Sequence, residues 1–252
     1  MEEIGNGNIC QIGTEDSVPS FAVIGDSFAD AFMPGLAAAA TQAGVSGLVL
    51  TYSGCYPLLG TLQKNGVCDE FYQAAADAVL TNEQIAGVFF IARWSSAFEA
   101  SRYGENMKSD MFVTDKEHQF PSVDTNRIVV RNGLDRLLGE ISDKDIHLVT
   151  SIPEQAVNVP RTVGISLLMG WKAAPSVSRD AVNARYEFAN DILENFADKY
   201  DADIINVADA LCTASSCSGV SHNLPLYVDD NHISRTTAIS LKELFRPALA
   251  GD

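Results

Sequence analysis

The sequence predicts an α/β fold: a three-layer sandwich whose mainly parallel, five-stranded sheet is flanked by helices. Three observations carry that expectation. Short apolar runs bounded by turn residues alternate with longer amphipathic segments, the pattern of strands joined by crossover helices. The chain has 252 residues, 46% of them hydrophobic and 20% charged, enough for one large α/β domain or two small ones. No internal repeat or low-complexity segment interrupts it, so 1–252 reads as a single domain with residues 1–19 as a polar, glycine-containing lead-in.

The first strand is the apolar run Phe21, Ala22, Val23, Ile24, which enters Gly25-Asp26-Ser27 and then a helical segment, 28–43. Phe28, Phe32, Leu36 and Ala40 fall four apart on one helix face, as packing against a sheet requires. Pro34 is expected to kink this helix or shift its start. The second strand, 47–51, ends at Tyr52-Ser53-Gly54. A helix over 68–80 leads to the third strand, 85–92, which runs into Arg93-Trp94.

Residues 101–122, with Gly104, Lys108, Asp110 and Lys116, have no clear period and read as a long excursion near the active face, with His118 exposed in it. An amphipathic helix spans 123–141, with Ile128, Leu134, Leu137 and Leu138 apolar and Arg127, Arg131, Asp135 and Arg136 polar. The fourth strand is 146–152, where His147 reads as structural. Residues 153–175 look irregular. Their Leu167, Leu168, Met169 and Trp171 either fill the core from a loop or form an exposed flap over the site. Ser178 caps a long helix to residue 200, the fifth strand is 202–207, and 234–249 closes the chain as a helix. In such sheets ligands bind at the carboxyl ends of the strands, where the loops at Ser27, Gly54, Trp94 and His232 converge.

A serine at a strand's carboxyl end, in the first turn of a helix, presents its hydroxyl among backbone N–H groups suited to a developing anion. Asp26 or Ser27 can equally serve as a plain helix cap. Near the other end, Asp229 precedes His232 by three residues. Activating a serine takes a base and a carboxylate to orient it, and an Asp-x-x-His turn supplies both.

Gly25-Asp26-Ser27 and Asp229-x-x-His232 together resemble the SGNH (GDSL-type) hydrolase superfamily of esterases and acyltransferases. Ser53-Gly54-Cys55-Tyr56-Pro57-Leu58, Ile91-Ala92-Arg93-Trp94, Ile152-Pro153-Glu154 and the segment from Leu211 to Cys217 fall in order between them. Together they look like the SGNH domain fused behind acyltransferase-3 integral membrane proteins, which O-acylate bacterial surface polysaccharides. The likeness runs from about Cys10 to Leu244 and implies an SGNH/flavodoxin-like sandwich. It implies Ser27 as nucleophile, His232 as base and Asp229 as its orienting carboxylate. The Ser27 and Gly54 amides would line the oxyanion hole.

The superfamily's Gly-x-Asn-Asp segment after the third strand is replaced here by Ile91-Ala92-Arg93-Trp94, so the third oxyanion donor is missing. Arg93 is a candidate replacement, or pairs with an acidic neighbour. The histidine that often follows the serine is here Phe28. Trp94 and Asp26 are the expected substrate contacts, Trp94 offering a flat face to a sugar ring.

The resemblance implies O-acyl (O-acetyl) transfer through an acyl-serine to a sugar hydroxyl of a surface polysaccharide such as lipopolysaccharide. A carbohydrate O-acetyl esterase and a non-catalytic carbohydrate-binding module are the alternatives. The implied partners are an acyl donor, a polysaccharide acceptor and a membrane-embedded acyltransferase portion of the same parent chain. The parent would hold this domain as its soluble C-terminal part, periplasmic and tethered to the inner membrane.

A formal net charge of −16 argues against nucleic acid or an anionic lipid surface as the main partner. No stretch approaches a membrane span, so no direct membrane insertion by this segment is expected, and no basic segment followed by an apolar run opens the chain. A cytosolic protein fits that, and so does a soluble piece of a membrane-attached parent. The spacing of five cysteines favours two local disulfides, Cys212–Cys217 and Cys55–Cys68, with Cys10 left over, in an oxidising compartment; free thiols would mean the cytoplasm. No cofactor or metal is expected, since Asp229-Asp230 has no further oxygen ligands at readable spacing.

Overall fold

A computed structural model describes residues 9–104, 111–172 and 174–250. The first eight residues of the lead-in, and Lys108 and Asp110 of the expected excursion, lie outside the described residues.

A six-stranded sheet forms the middle layer, built from β1 (Gln11–Gly13), β2 (Pro19–Gly25), β3 (Ser46–Thr51), β4 (Gly87–Ile91), β5 (Asp145–Val149) and a later short strand, Asp203–Ile205. Its spatial order is β1-β3-β2-β4-β5 and then Asp203–Ile205 at the far edge. The five expected strands are all parallel. The sixth corrects the expected count: part of the lead-in, Gln11–Gly13, pairs antiparallel with β3, Gln11 facing Leu48. A three-residue edge strand with one apolar side chain, Ile12, carries too short an alternation to be read from sequence.

Both faces of the sheet are buried, which is why the parallel strands read as continuous apolar runs. Ala22 and Ile24 of β2 point into one core with Phe90 and Leu148, while Phe21 and Val23 point into the other with Phe89 and Val149. The second core rests on α1 (Ser27–Ala43), whose Phe28, Phe32, Leu36 and Ala40 are buried. The first rests on α2 (Cys68–Leu80), α4 (Val123–Glu140) and α6 (Arg179–Tyr200), α3 (Trp94–Glu99) being a short turn past β4. In α4 the buried row is Val129, Val130, Leu134, Leu137 and Leu138, and Ile128 faces solvent. His147 packs on the Phe89 ring inside the sheet, where burial lowers its pKa, and His118 turns back on Asp115 at 3.0 Å.

Three element expectations change. α1 runs unbroken through Pro34. Residues 153–175 contain a helix, α5 (Val159–Leu168), started by an Asn158 cap on the Arg161 amide and by Pro160 in its first turn, where a missing N–H costs nothing. The closing helix is broken into α8 (Arg235–Ser240), a 3-10 turn at Lys242–Leu244 and α9 (Arg246–Ala250). Pro247 cannot donate to the turn before it, so the chain restarts its helix there. β6 (Ser176–Ser178), just before α6, pairs with β8 (Ser216–Ser218); between α6 and α8 lie the edge strand β7 (Asp203–Ile205), α7 (Val207–Leu211), β8, and a small hairpin of β9 (Val220–Ser221) and β10 (Leu224–Pro225). Both expected disulfides are present, Cys55–Cys68 and Cys212–Cys217, and Cys10 is free and exposed.

Candidate active site

The site is built where β2 stops. Gly25 ends the strand so close to β4 that a Cβ on it would stand 1.9 Å from the Ile91 carbonyl oxygen. No other residue fits. Asp26 then turns the chain in extended conformation. One of its carboxylate oxygens accepts from the Phe28 amide (2.8 Å), the other from the Arg93 amide (3.0 Å). The carboxylate both caps α1 and ties the Ser27 turn to the end of β4. Burial raises the Asp26 pKa to about 6, against the pull of those two amides. Asp26 is therefore corrected as a substrate contact: it is buried, and both its oxygens are engaged by backbone.

Ser27 opens α1 with its Oγ 2.8 Å from His232 Nε2. On the far side of the same ring, Nδ1 lies 2.7 Å from Asp229 Oδ2. The other Asp229 oxygen accepts the amides of Asn231 (2.8 Å) and His232 (2.7 Å), so the aspartate folds its own loop around itself. Burial by itself would raise the Asp229 pKa; the His232 ring and the two amides outweigh it and bring it to about 2. An ionised Asp229 accepts from Nδ1–H, which leaves Nε2 as the acceptor for the serine hydroxyl. The loop is anchored from outside by the Gln155 amide on the Asp230 carbonyl (2.7 Å) and the Val159 amide on the Asp229 carbonyl (3.0 Å). The edge of the Phe28 ring packs against the imidazole, centroids 5.5 Å apart. This chain's Phe28 is thus a wall of the site.

The loop after β3 lies alongside. Gly54 has φ +83°, a left-handed conformation, with open space where a side chain would be. Asp30 of α1 holds the loop by accepting from Thr51 Oγ1 and Ser53 Oγ, both at 2.6 Å. From beneath, the buried Tyr72 hydroxyl reaches the Gly25 carbonyl (2.7 Å) and the Cys55 carbonyl (2.8 Å), bridging the two loops. The Cys55–Cys68 disulfide fastens the same loop to α2. A cavity of about 150 Å³ opens beside Gly54, lined also by Tyr56, Gln63, Arg102 and Met111.

Arg93 pairs with an acidic neighbour, the second of its two expected roles. Its Nε (2.6 Å) and Nη2 both donate to Glu154 Oε1. Burial would lower the guanidinium's pKa, and the adjacent carboxylate raises it past its ordinary value. Glu154 also accepts from Ser95 Oγ (3.2 Å) and Arg185 Nε (3.4 Å). Trp94 is a correction. It is fully buried, its indole N–H donating to the Val149 carbonyl at 2.9 Å, so no sugar can lie on its face. Sequence reasoning gave no role to Glu154, Asp30 or Tyr72. For Glu154 a signal existed: β4 and β5 are neighbours, and a lone arginine and a lone glutamate each follow shortly after their ends.

The chain matches the family model described as "SGNH domain (fused to AT3 domains)" over residues 2–247. Among solved structures it is similar to the periplasmic domain of a lipopolysaccharide acetyltransferase of Salmonella ser. Paratyphi A, with a TM-score of 0.64 at 17% identity over 98% of this chain and 93% of that one. It is also similar to a protein described as a putative platelet activating factor from Streptococcus pneumonia, with a TM-score of 0.51 at 12% identity over 94% and 86%. At such identities the likeness is one of fold. No curated protein matches the sequence.

Proposed function

The chain belongs to the family of SGNH domains fused to AT3 domains, and from that premise we propose that it moves an acyl group through a covalent intermediate on Ser27 to a sugar hydroxyl of a bacterial surface polysaccharide. One observation carries the reading: an imidazole stands between a serine oxygen at 2.8 Å and a carboxylate oxygen at 2.7 Å. His232 Nε2 takes the hydroxyl proton as Ser27 Oγ bonds to the acyl carbon, and the carbonyl electron pair moves onto its oxygen. That oxyanion is met by the Ser27 and Gly54 amides. Collapse of the intermediate expels the donor's leaving group, which receives the proton from His232. A sugar hydroxyl then gives its proton to the same nitrogen as it attacks the acyl carbon, and the second intermediate collapses with Ser27 Oγ leaving and taking that proton back from His232. Asp229 holds the ring and offsets the imidazolium charge throughout.

Water in place of the sugar gives an acetyl esterase on the same groups. We place the domain outside the cytoplasm, where its two disulfides persist, as a single soluble part of a membrane acyltransferase. The test is release of p-nitrophenol from p-nitrophenyl acetate and labelling by a serine-directed phosphonate. Ser27→Ala abolishes labelling and cuts turnover by about 10³-fold or more. Unchanged turnover in Ser27→Ala rejects the mechanism. A wild-type protein inert to both reagents that still binds polysaccharide is a binding module.

A further inference from the structure

The C-terminal end of α5 exposes a run of large apolar side chains. Val159, Val163 and Ser166 face inward, but Ile165, Leu167 and Met169 are open to solvent. Leu168 is 88% exposed and Trp171, just past the Gly170 turn, 63%. Five large apolar side chains within seven residues exceed the scattered singles that solubility tolerates. α5 packs against the β9–β10 hairpin, whose Leu224 is 68% exposed.

The charge of this corner differs from that of the chain. With 33 carboxylates in 252 residues, about three are expected in any 25. Residues 155–179 contain none, and neither do residues 210–228, which include the hairpin. Arg161 and Lys172, both exposed, flank the apolar tip. A helix tip with aliphatic side chains, a tryptophan, flanking cations and no acid has the composition of an interfacial membrane anchor.

We propose that the α5 tip docks on an anionic lipid bilayer. Ile165, Leu167, Leu168, Met169 and Trp171 enter the headgroup–acyl boundary, and Arg161 and Lys172 sit among lipid phosphates. The net charge of −16 opposes adsorption of the molecule as a whole. Salt screens that repulsion beyond about 8 Å, so the charges nearest the tip along the chain, Arg161 and Lys172, weigh most; the Asp229-Asp230 loop lies at the opposite, N-terminal end of α5. α5 starts at the Asp229 loop, and its ten residues span about 15 Å. Docking therefore brings the site near the bilayer; that this serves acyl transfer rests on the function proposed above, whereas the docking does not.

The sequence has two tryptophans, and Trp94 is fully buried, so a change in emission on adding vesicles reports Trp171. The full chain is mixed with vesicles of phosphatidylethanolamine and phosphatidylglycerol, or of phosphatidylcholine alone, and followed by fluorescence and flotation. The expected result is a blue shift and co-flotation with the anionic vesicles. Leu168→Asp, at a site exposed enough not to disturb folding, weakens binding about tenfold or more. Lys172→Ala weakens it about fivefold on anionic vesicles alone. The proposal is overturned by absence of flotation with either vesicle, or by Leu168→Asp binding as well as wild type. It is equally overturned by a dimer that Leu168→Asp dissociates while vesicles leave emission unchanged, since a second copy then covers the tip. No substrate enters the assay, so its failure is separate from failure of the Ser27 mechanism.

Discussion

Truncating Glu154 should cost this protein more than truncating the arginine it pairs with. The Glu154 side chain is 1% exposed and receives donors on both oxygens: Arg93 Nε and Nη2 on Oε1, Ser95 Oγ and Arg185 Nε on Oε2. Glu154→Ala leaves the Arg93 guanidinium buried without its counter-ion. Arg185 retains the Ser101 hydroxyl (3.1 Å) and carbonyl (2.6 Å). Removing one partner from a buried pair costs about 3–5 kcal/mol, which for a chain of this length lowers Tm by roughly 6–20 °C. Arg93→Ala, in contrast, leaves Glu154 with Arg185 and Ser95 and should cost only about 2–3 kcal/mol. Arg93→Met with Glu154→Leu removes both charges and should cost clearly less than the two single truncations together. Urea unfolding of the four proteins provides the numbers, and p-nitrophenyl acetate turnover is read alongside. With the Arg93 fork held on Glu154 through Nε and Nη2, Arg93→Ala should keep turnover within about tenfold of wild type, whereas loss of an oxyanion donor costs about 10²–10³. The reasoning fails if Arg93→Ala destabilises as much as Glu154→Ala, or if its turnover falls a hundredfold while its fold is intact.

The two disulfides should separate by function. Opening Cys55–Cys68, 13 residues apart, costs about 3 kcal/mol in the chain-entropy model and also lowers turnover, because the Gly54 loop hangs from it; opening Cys212–Cys217, five apart, costs about 2 kcal/mol and leaves turnover alone. Non-reducing peptide maps and melts of the paired Cys→Ser variants check this. Asp26, raised to about 6 from 3.8, contributes stability below pH 3.8 that is lost as pH rises through 6; melts from pH 4 to 7 should show wild type losing ground to Asp26→Asn over that window. Asp229 has the opposite sign: held at about 2, it contributes above pH 3.8 and stops contributing as pH falls towards 2, a dependence that Asp229→Asn should lack. Trp94→Phe strands the Val149 carbonyl and should lower Tm without raising KM, and a rise in KM at unchanged Tm would return Trp94 to the substrate.

Hydrophobic period and turn chemistry were enough for the five parallel strands and for the convergence of Ser27, Gly54 and His232 on one edge of the sheet. A parallel strand between two helical layers is apolar on both sides, and the turn residues bounding each run marked these as strands. The spacing also favoured the two cysteine pairs, since closing loops of 13 and five residues restricts the chain least, although it left other partners for Cys55 open. What was hidden has a common cause. Trp94 and Asp26 follow strand ends, and position alone suggested that they face the substrate. Whether a side chain just past a strand turns out or tucks under depends on the neighbouring element. Trp94 finds the Val149 carbonyl of β5, and Asp26 the amide of Arg93. α5 was concealed for another reason: its outer face is apolar, so it lacks the polar stripe by which a surface helix is recognised.

Those tucked side chains explain how the edge can hold the Ser27, His232 and Asp229 arrangement proposed to be catalytic. Where a parallel ladder stops, its last carbonyls and amides lose their partners inside a dry region, and each would cost free energy if left unpaired. Here aromatic hydroxyls and one indole donate to carbonyls at and just past the strand ends. Tyr72 binds the carbonyls of Gly25 and Cys55, Tyr186 that of Ile152 (2.6 Å), Tyr227 that of Pro153 (2.7 Å), and Trp94 that of Val149. Burial pushes the three tyrosine pKa values up, which keeps these groups neutral donors across the working pH range. Each donor links the end of one element to a side chain rooted in another. The Ser27 turn, the Gly54 loop and the segment carrying Glu154 are therefore fixed to one another before any substrate arrives. The Ser27 hydroxyl, 2.8 Å from His232 Nε2, needs such a frame, because a displacement of about 1 Å would forfeit the hydrogen bond on which the proposed proton transfer depends.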